Sequence, residues 1–222
     1  MSTTADVVVL VPMLGRAHRV GPLLESLHTT TDRARVLFVC HRGDDAVVRA
    51  VDAAGADKMV VTRAPIGDYA RKVNAAYRAT TEPLLFLGAS DLTFLPGWLD
   101  EALAVLTDGI GVVGTNDLGS PRVMAGDHST HSLVTRDYVD RYGTIDGPGQ
   151  VLCEAYPHEF VDDELIGTAK WREAFAMALN AKVRHDHPNW YADIPLDEAY
   201  RGQRHRMAIG RRIFNRRRHR WT

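Results

Sequence analysis

Apolar runs alternate with amphipathic segments along the first half of the chain. The apolar runs contain many β-branched residues and are typical of buried strands: DVVVLVP, ARVLFVC, DKMVVTR and PLLFLG. Between them lie segments with apolar residues at helical spacing: RVGPLLESLHTT, DDAVVRAVDAAGA and DYARKVNAAYRAT. Strands that alternate with short helices predict an α/β fold with a mostly parallel sheet. In such sheets, ligands bind beyond the carboxyl ends of the strands.

The second half of the chain is less regular. GIGVVGTND predicts a fifth strand, and HSLVTRDYVDRYG predicts a strand that continues into a short helix. DDELIGTAKWREAFAMALN predicts the clearest helix, because acids at its start favour the positive end of the helix dipole. AKVRHDHPNWY predicts a short strand that ends in histidines.

Charge divides the chain into two parts. With 222 residues, 45% of them hydrophobic, the chain is long enough for one domain with a sizeable core. The net charge is only -1, but all 28 acidic residues precede Arg201, and 9 arginines follow from that position onward. We therefore predict a domain at residues 1–200 and a basic helix or tail at residues 201–222.

The tail has two possible roles. A strongly basic segment usually binds phosphate, anionic lipid or an acidic surface, but its arginines can also pair with the acidic body. Four residues form an apolar stripe that predicts docking on the body: Met207, Ile209, Ile213 and Phe214. The last stretch, RRRHRWT, has no such stripe, and we expect it to be mobile without a partner.

Three features predict cytoplasmic residence. No apolar run is long enough to cross a membrane. The N-terminus has no basic segment before its apolar run, unlike a secretory signal. The two cysteines, Cys40 and Cys153, do not make a disulfide framework.

Acids and histidines fall at predicted strand ends and at one helix start. They are Asp91 after PLLFLG, the triplet Asp162, Asp163 and Glu164, and the pair His185 and His187. Asp and His together can hold a divalent cation, and a separate carboxylate can act as a general base. Taken singly, Asp91 also fits a turn or cap, the triplet a helix start, and the histidines a solvated loop.

Five motifs in order resemble the GT-A glycosyltransferases, in particular the large inverting family two. They are VVVLVPMLGRAHRVGPLLESL, YARKVNAAY, FLGASDLTFLPGWL, EFVDDELIG and VRHDHPNW, and the resemblance covers residues 6–190. It implies a Rossmann-like GT-A sheet and the transfer of a sugar from a nucleotide-sugar, first of all a UDP-sugar, to an acceptor hydroxyl. It also implies Mn²⁺ or Mg²⁺, which would offset charge on the diphosphate leaving group.

The resemblance assigns roles to individual residues. Asp91 and His187 would hold the metal ion, with His185 as the alternative histidine. Asp162 would be the general base, and Asp163 is the adjacent alternative. The residues that would bind the donor are Pro12, Leu14, Arg16, His41, Asp68, Arg71, Asn74 and Ser90.

The chain departs from the family pattern at three places, and one of them is Thr168, where the family often has an arginine. Gly88 and Ser90 stand where the metal motif usually has further acids, so that Asp91 is left alone. Cys40 and His41 end the second strand in place of the acids that contact the base, which leaves the nucleotide open. Asp44 or Asp45 could substitute for those acids.

Other interpretations remain open. A nucleotidyltransferase shares the α/β plan and the metal, and PMLGRAHR is a faint version of its phosphate loop. A non-catalytic module on the same scaffold would bind nucleic acid or a membrane through the basic tail. The loop GDHSTH, with His128 and His131, fits either an acceptor-side loop or a plain surface loop. Trp190 fits either stacking on a sugar ring or packing.

Overall fold

A computed structural model describes residues 6–64, 67–197 and 200–222. Residues 1–5, on which the expectation about a secretory signal rests, lie outside the described residues, as do 198 and 199 near the predicted start of the tail. In the described part of the chain, no helix combines the length and the apolar character needed to cross a membrane.

Eight strands form one sheet. They are β1 (Val7–Pro12), β2 (Ala34–His41), β3 (Asp57–Val61), β4 (Leu84–Leu87), β5 (Leu92–Phe94), β6 (Val112–Asn116), β7 (Ser132–Thr135) and β8 (Phe175–His185). Their order is β3-β2-β1-β4-β7-β6-β8-β5. Strands β1 to β4 are parallel, as the alternation of strands and helices predicts. Only β7 and β5 run against their neighbours, so the carboxyl ends of β1, β4, β6 and β8 meet at one edge.

Helices cover both faces of this sheet. They are α1 (Val20–His28), α2 (Asp45–Ala53), α3 (Tyr69–Ala79), α4 (Trp98–Ala104), α5 (Pro121–Met124), α6 (Arg136–Arg141), α7 (Val161–Trp171) and α8 (Gln203–Arg217). Short 3₁₀ turns occupy Ala17–Arg19 and Arg218–Arg220. The predicted strand and short helix of HSLVTRDYVDRYG are confirmed as β7 and α6.

The sheet separates two hydrophobic cores. Along β1, Val7, Val9 and Val11 pack in one core, whereas Val8 and Leu10 pack in the other, because successive side chains of a strand point to opposite faces. All five residues are fully buried, since neighbouring strands and both helical layers cover β1. This explains why β1 is a continuous apolar run rather than an alternating one.

The predicted long helix over residues 162–180 is wrong in its second half. Helix α7 ends at Trp171 because Glu173 adopts a left-handed φ of 56°. The amides of Glu173 and Ala174 then bond to the carbonyls of Lys170 and Ala169, at 3.0 and 2.8 Å. Glycine usually occupies this turn, so the glutamate concealed the helix end. The chain continues as β8, which is longer than the predicted strand.

The prediction that the last residues are mobile is also wrong. Ile213 and Phe214 pack against the core as predicted, but Trp221 is buried too, with only 6% of its surface exposed. A Cβ atom on Gly167 of α7 would lie 2.5 Å from the indole nitrogen of Trp221, so the glycine makes room for this ring. Arg217 pairs with Glu164 at 2.7 Å, which means that arginines on the inner side of α8 do pair with the acidic body.

Candidate active site

A cavity of about 700 Å³ opens at the edge where the parallel strands end. Segments that follow β1, β4, β6 and β8 line it, together with the first turns of α7 and α8. This is the place that the topology of an α/β sheet favours for a ligand. The sequence-predicted residues that line it are Pro12, Leu14, Arg16, Asp68, Ser90, Asp91, Asp162, Asp163, His185 and His187.

Three predicted donor-binding residues do not line this cavity. Asn74 is fully buried, and its side-chain oxygen accepts hydrogen bonds from the amides of Val151 and Leu152 at 2.9 and 3.1 Å. Arg71 exposes 60% of its side chain and lies 3.9 Å from Glu154, whose carboxylate also accepts a hydrogen bond from Asn74. His41 is buried at the end of β2 without reaching the cavity. Asn74 therefore has a structural role, because it braces the loop at Val151 and Leu152.

Asp91 is buried at one wall of the cavity, with 3% of its surface exposed. Its Oδ2 accepts hydrogen bonds from Arg16 and from the hydroxyl of Tyr200, both at 2.6 Å. His185 Nε2 lies 3.5 Å from the other oxygen, Oδ1. Burial alone would raise the pKa of Asp91, but His185, Arg16 and the Tyr200 hydrogen bond hold it well below its usual range. Asp91 is therefore a carboxylate with donors already arranged around it.

Arg16 is held in one position by several contacts. Its backbone is left-handed, with φ 60°, and the guanidinium also binds Asp197 at 2.5 and 3.0 Å. The ring of Tyr200 lies 4.7 Å from the guanidinium carbon. Burial lowers the pKa of Arg16, but Asp197 and Asp91 outweigh burial, so the pKa lies above the usual value for arginine. Asp44 fixes the loop from the other side by accepting a hydrogen bond from the Gly15 amide at 2.8 Å.

The two histidines at the end of β8 and just after it have different surroundings. His185 faces Asp91, whereas Nδ1 of His187 accepts a hydrogen bond from the Asn189 amide at 3.1 Å. Burial and the neighbouring His185 lower the pKa of His187 to about 4, so its ring is neutral at pH 7. A neutral ring that accepts at Nδ1 carries its proton on Nε2 and offers a donor there. The geometry thus brings His185, not His187, beside Asp91.

Lys72 is a cavity residue that the sequence analysis missed. It is 1% exposed, and its Nζ donates to the carbonyl of Met13 at 2.6 Å and lies 3.2 Å from Asp68. Burial lowers the pKa of Lys72, with Asp68 acting against this effect. A signal was present, because Lys72 shares the apolar face of α3 with Tyr69 and Ala76.

Asp162 and His128 form a pair at a second wall of the cavity, where α7 begins. His128 Nε2 lies 3.1 Å from Asp162 Oδ2. The histidine side chain is 6% exposed and lies behind the aspartate, of which 30% is exposed. Burial lowers the pKa of His128, but the contact with Asp162 outweighs burial, so the pKa of His128 is raised. Burial raises the pKa of Asp162, but the contact with His128 outweighs burial, so the pKa of Asp162 is lowered. His128 was predicted to belong either to an acceptor-side loop or to a surface loop, and it lies buried at the cavity.

The acidic triplet at the start of α7 divides between two sides of the helix. Asp163 also lines the cavity and binds Arg122 at 2.9 Å, while burial and then Asp162 raise its pKa. Glu164 turns away and is 3% exposed, bound to Tyr156 at 2.8 Å and to Arg217. Successive residues of a helix are about 100° apart, which separates the two cavity acids from the third.

Comparisons with known proteins identify the fold. No protein-family model and no curated protein sequence matches the chain. Solved structures do: a mannosyltransferase from Pyrobaculum calidifontis, in complex with GDP-Man and Mn²⁺, matches with a TM-score of 0.60 and 17% identity over 93% of this chain. The chain has a GT-A fold. It spans 62% of the length of that mannosyltransferase.

A second GT-A structure covers more of its own length. It is glucosyl-3-phosphoglycerate synthase from Mycobacterium tuberculosis, in complex with Mn²⁺, UDP and glucosyl-3-phosphoglycerate. The match has a TM-score of 0.64 and 16% identity, and it covers 95% of this chain and 79% of the synthase. The predicted α/β class with a GT-A sheet is therefore confirmed.

Proposed function

We propose that the protein is a metal-assisted, inverting glycosyltransferase that moves a sugar from a nucleotide-sugar to an acceptor hydroxyl. One observation carries this proposal. Asp91 and Asp162, each with its pKa lowered, lie at two walls of one cavity, beyond the carboxyl ends of strands in a GT-A sheet. The similar solved structures contain GDP-Man or UDP together with Mn²⁺, which supports the donor class and the metal.

The residues at Asp91 fit a divalent cation. Asp91 Oδ1 and His185 Nε2 are 3.5 Å apart, and neighbouring ligands of an ion with bonds of about 2.1 Å are roughly 3 Å apart. A carboxylate with an imidazole suits Mn²⁺, and Asp91 and His185 would hold it. When bound, the ion would stabilise negative charge on the leaving diphosphate.

Two cations of the chain would act on the same diphosphate. Arg16 already presents its guanidinium beside Asp91, and Lys72 places a buried ammonium group in the cavity wall. Hydrogen bonds from charged donors to phosphate oxygens are shorter and stronger than neutral ones. Both side chains are fixed before the donor arrives, so little reorganisation would accompany binding.

Asp162 would act as the general base. Its low pKa keeps the carboxylate ionised at neutral pH. The acceptor hydroxyl oxygen would form a bond to the anomeric carbon while the bond from that carbon to the diphosphate oxygen breaks. The hydroxyl proton would pass to Asp162, and this single displacement inverts the anomeric centre. Asp163 is the alternative base, since its pKa is raised.

A nucleotide-sugar screen tests this proposal. Thermal unfolding would be followed with UDP-glucose, GDP-mannose and other nucleotide-sugars, with and without Mn²⁺, because a ligand of the native state raises the melting temperature. We expect at least one donor to stabilise the protein in an Mn²⁺-dependent manner and to release free sugar slowly. Pyrophosphate release from a nucleoside triphosphate would instead indicate the nucleotidyltransferase. No stabilisation by any donor would contradict the proposal.

A further inference from the structure

Helix α8 has an inner and an outer side with different charge environments. On the inner side, Arg206 binds Glu159 at 3.1 Å and Arg217 binds Glu164. On the outer side of α8 and at the start of the 3₁₀ turn after it, five arginines are exposed, and none forms an ion pair with another residue in the described part of the chain: Arg204, Arg211, Arg212, Arg216 and Arg218. The acidic body thus neutralises the inner arginines and leaves the outer ones to solvent.

The outer arginines form a band rather than a cluster. Helix α8 has 15 residues, which corresponds to a length of about 22 Å. The exposed residues between the arginines are small or polar, such as Ala208 and Asn215. A strand stacked as in double-stranded DNA has a phosphate about every 3.4 Å along its axis, so the length of the band corresponds to roughly six phosphates of a stacked strand. Guanidinium groups suit this partner, because they bind phosphate oxygens in a bidentate manner.

This band leads into the cavity. Gln203, Met207 and Arg211 of α8 line the cavity that Asp91 and Asp162 also line. Arg211 therefore belongs both to the outer band and to the wall of the proposed transfer site. A chain bound along α8 would therefore lie beside the lining of the cavity that contains Asp162.

We propose that the outer arginines of α8 bind the phosphate backbone of a single-stranded nucleic acid and lead it to the cavity. A membrane surface fits less well. Helices that lie on membranes insert apolar side chains between lipids. The large apolar side chains of this part of the chain, Ile213, Phe214 and Trp221, are instead buried or packed against the body of the protein. The binding surface stands on its own, whereas its role in presenting an acceptor rests on the proposed function.

Two matched triple variants test this surface. One changes Arg212, Arg216 and Arg218 to Gln in the full-length protein. The control changes Arg42, Arg49 and Arg78 to Gln; these three exposed arginines lie before α2, in α2 and in α3. Both variants remove three positive charges. Binding would be measured by the anisotropy of a fluorescent single-stranded oligonucleotide over a range of salt concentrations, and by sedimentation with vesicles of phosphatidylglycerol and phosphatidylcholine.

The proposal predicts a specific pattern. Loss of three phosphate contacts should reduce the slope of log affinity against log salt by about 2 and weaken binding roughly 100-fold near 0.1 M salt. The control variant should bind like the wild type, and both variants should keep their thermal response to nucleotide-sugars. Equal losses in the two variants, no binding by the wild type, or stronger binding to anionic vesicles than to the oligonucleotide would overturn it. If only the donor screen failed, the proposed transferase function would be contradicted, and the proposed nucleic-acid-binding surface would not be affected.

Discussion

The two walls of the cavity hold their carboxylates in different ways. Asp91 accepts hydrogen bonds from a guanidinium and a phenol at Oδ2, and His185 lies 3.5 Å from its other oxygen. Asp162 has a hydrogen-bonding contact with His128, and this contact raises the pKa of the histidine. Asp91 is also nearly inaccessible, whereas Asp162 exposes 30% of its side chain. The first wall is suited to holding a fixed charge, and the second to accepting a proton.

Replacing the carboxylate of the second wall should give the largest effect. Asp162→Asn keeps the size of the side chain but removes the proton acceptor, and general-base contributions are about 10²–10⁴ in rate. We expect turnover to fall by such a factor while donor affinity stays nearly unchanged. Initial rates and isothermal titration calorimetry measure the two quantities. If Asp163→Asn causes the larger loss, Asp163 is the base and the roles of these two acids exchange.

Removing the cation of the first wall should destabilise the fold. Arg16→Gln leaves Asp91 without its guanidinium, and breaking a buried ion pair costs about 3–5 kcal/mol. The side chains of this pair are 11% and 4% exposed. Arg19→Gln is a matched control, because Arg19 binds Asp186 at 2.7 Å with more exposure. Urea unfolding should show a clearly smaller loss of unfolding free energy for the control. Equal losses would mean that the Arg16–Asp91 pair stabilises the fold no more than the more exposed pair does.

The stability of the second wall should depend on the C-terminal residues that pack against it. Trp221 packs against Gly167 of α7, the helix that also carries Asp162. Trp221→Ala should lower the free energy of unfolding by about 3 kcal/mol, as expected for a large aromatic side chain removed from a buried site. Trp171→Ala removes the same side chain where 56% of it is exposed, and should change stability little. A small effect of Trp221→Ala in chemical denaturation would contradict the docking of the tail.

The smallest effect should be the pH dependence of the His128–Asp162 pair. The pKa of His128 is raised in the folded protein, so its contribution to stability is fully present below the unfolded pKa of about 6.5. That contribution is lost as the pH rises through the folded pKa. The difference in unfolding free energy between wild type and His128→Gln should therefore be largest in mild acid and shrink toward alkaline pH. A difference that is constant across this range would show that His128 is not protonated in the pair.

Much of the fold could be predicted, because strand and helix periods are local signals. Arg16 follows β1 and Asp91 follows β4, and parallel strands bring their carboxyl ends together, which explains why these two residues meet. The end of α7 could not be predicted, since Glu173 occupies a turn that usually requires glycine. A local pattern does not reveal a residue that adopts an unfavourable backbone conformation because its surroundings require it.

The contacts within the site were less predictable than its location. His185 and His187 are two residues apart, so a strand pattern places them on the same face, and only the packing shows which one faces Asp91. Tyr200 binds Asp91 across 109 residues of sequence and belongs to none of the five motifs. His128 lies in a loop whose sequence fits exposed and buried positions equally. Local sequence patterns do not reveal such partners, because residues far apart in the sequence come into contact only in the folded chain.

Calorimetric titration of a nucleotide-sugar and Mn²⁺ into two variants tests the division of labour between the walls most directly. The account predicts that Asp91→Asn abolishes Mn²⁺-dependent binding of the donor that stabilises the wild type, whereas Asp162→Asn retains it. Asp186→Asn, which alters an ion-paired aspartate outside the cavity lining, should bind as the wild type does. Donor binding that survives in Asp91→Asn but disappears in Asp162→Asn would contradict the account, because it would place the donor and its metal at the second wall.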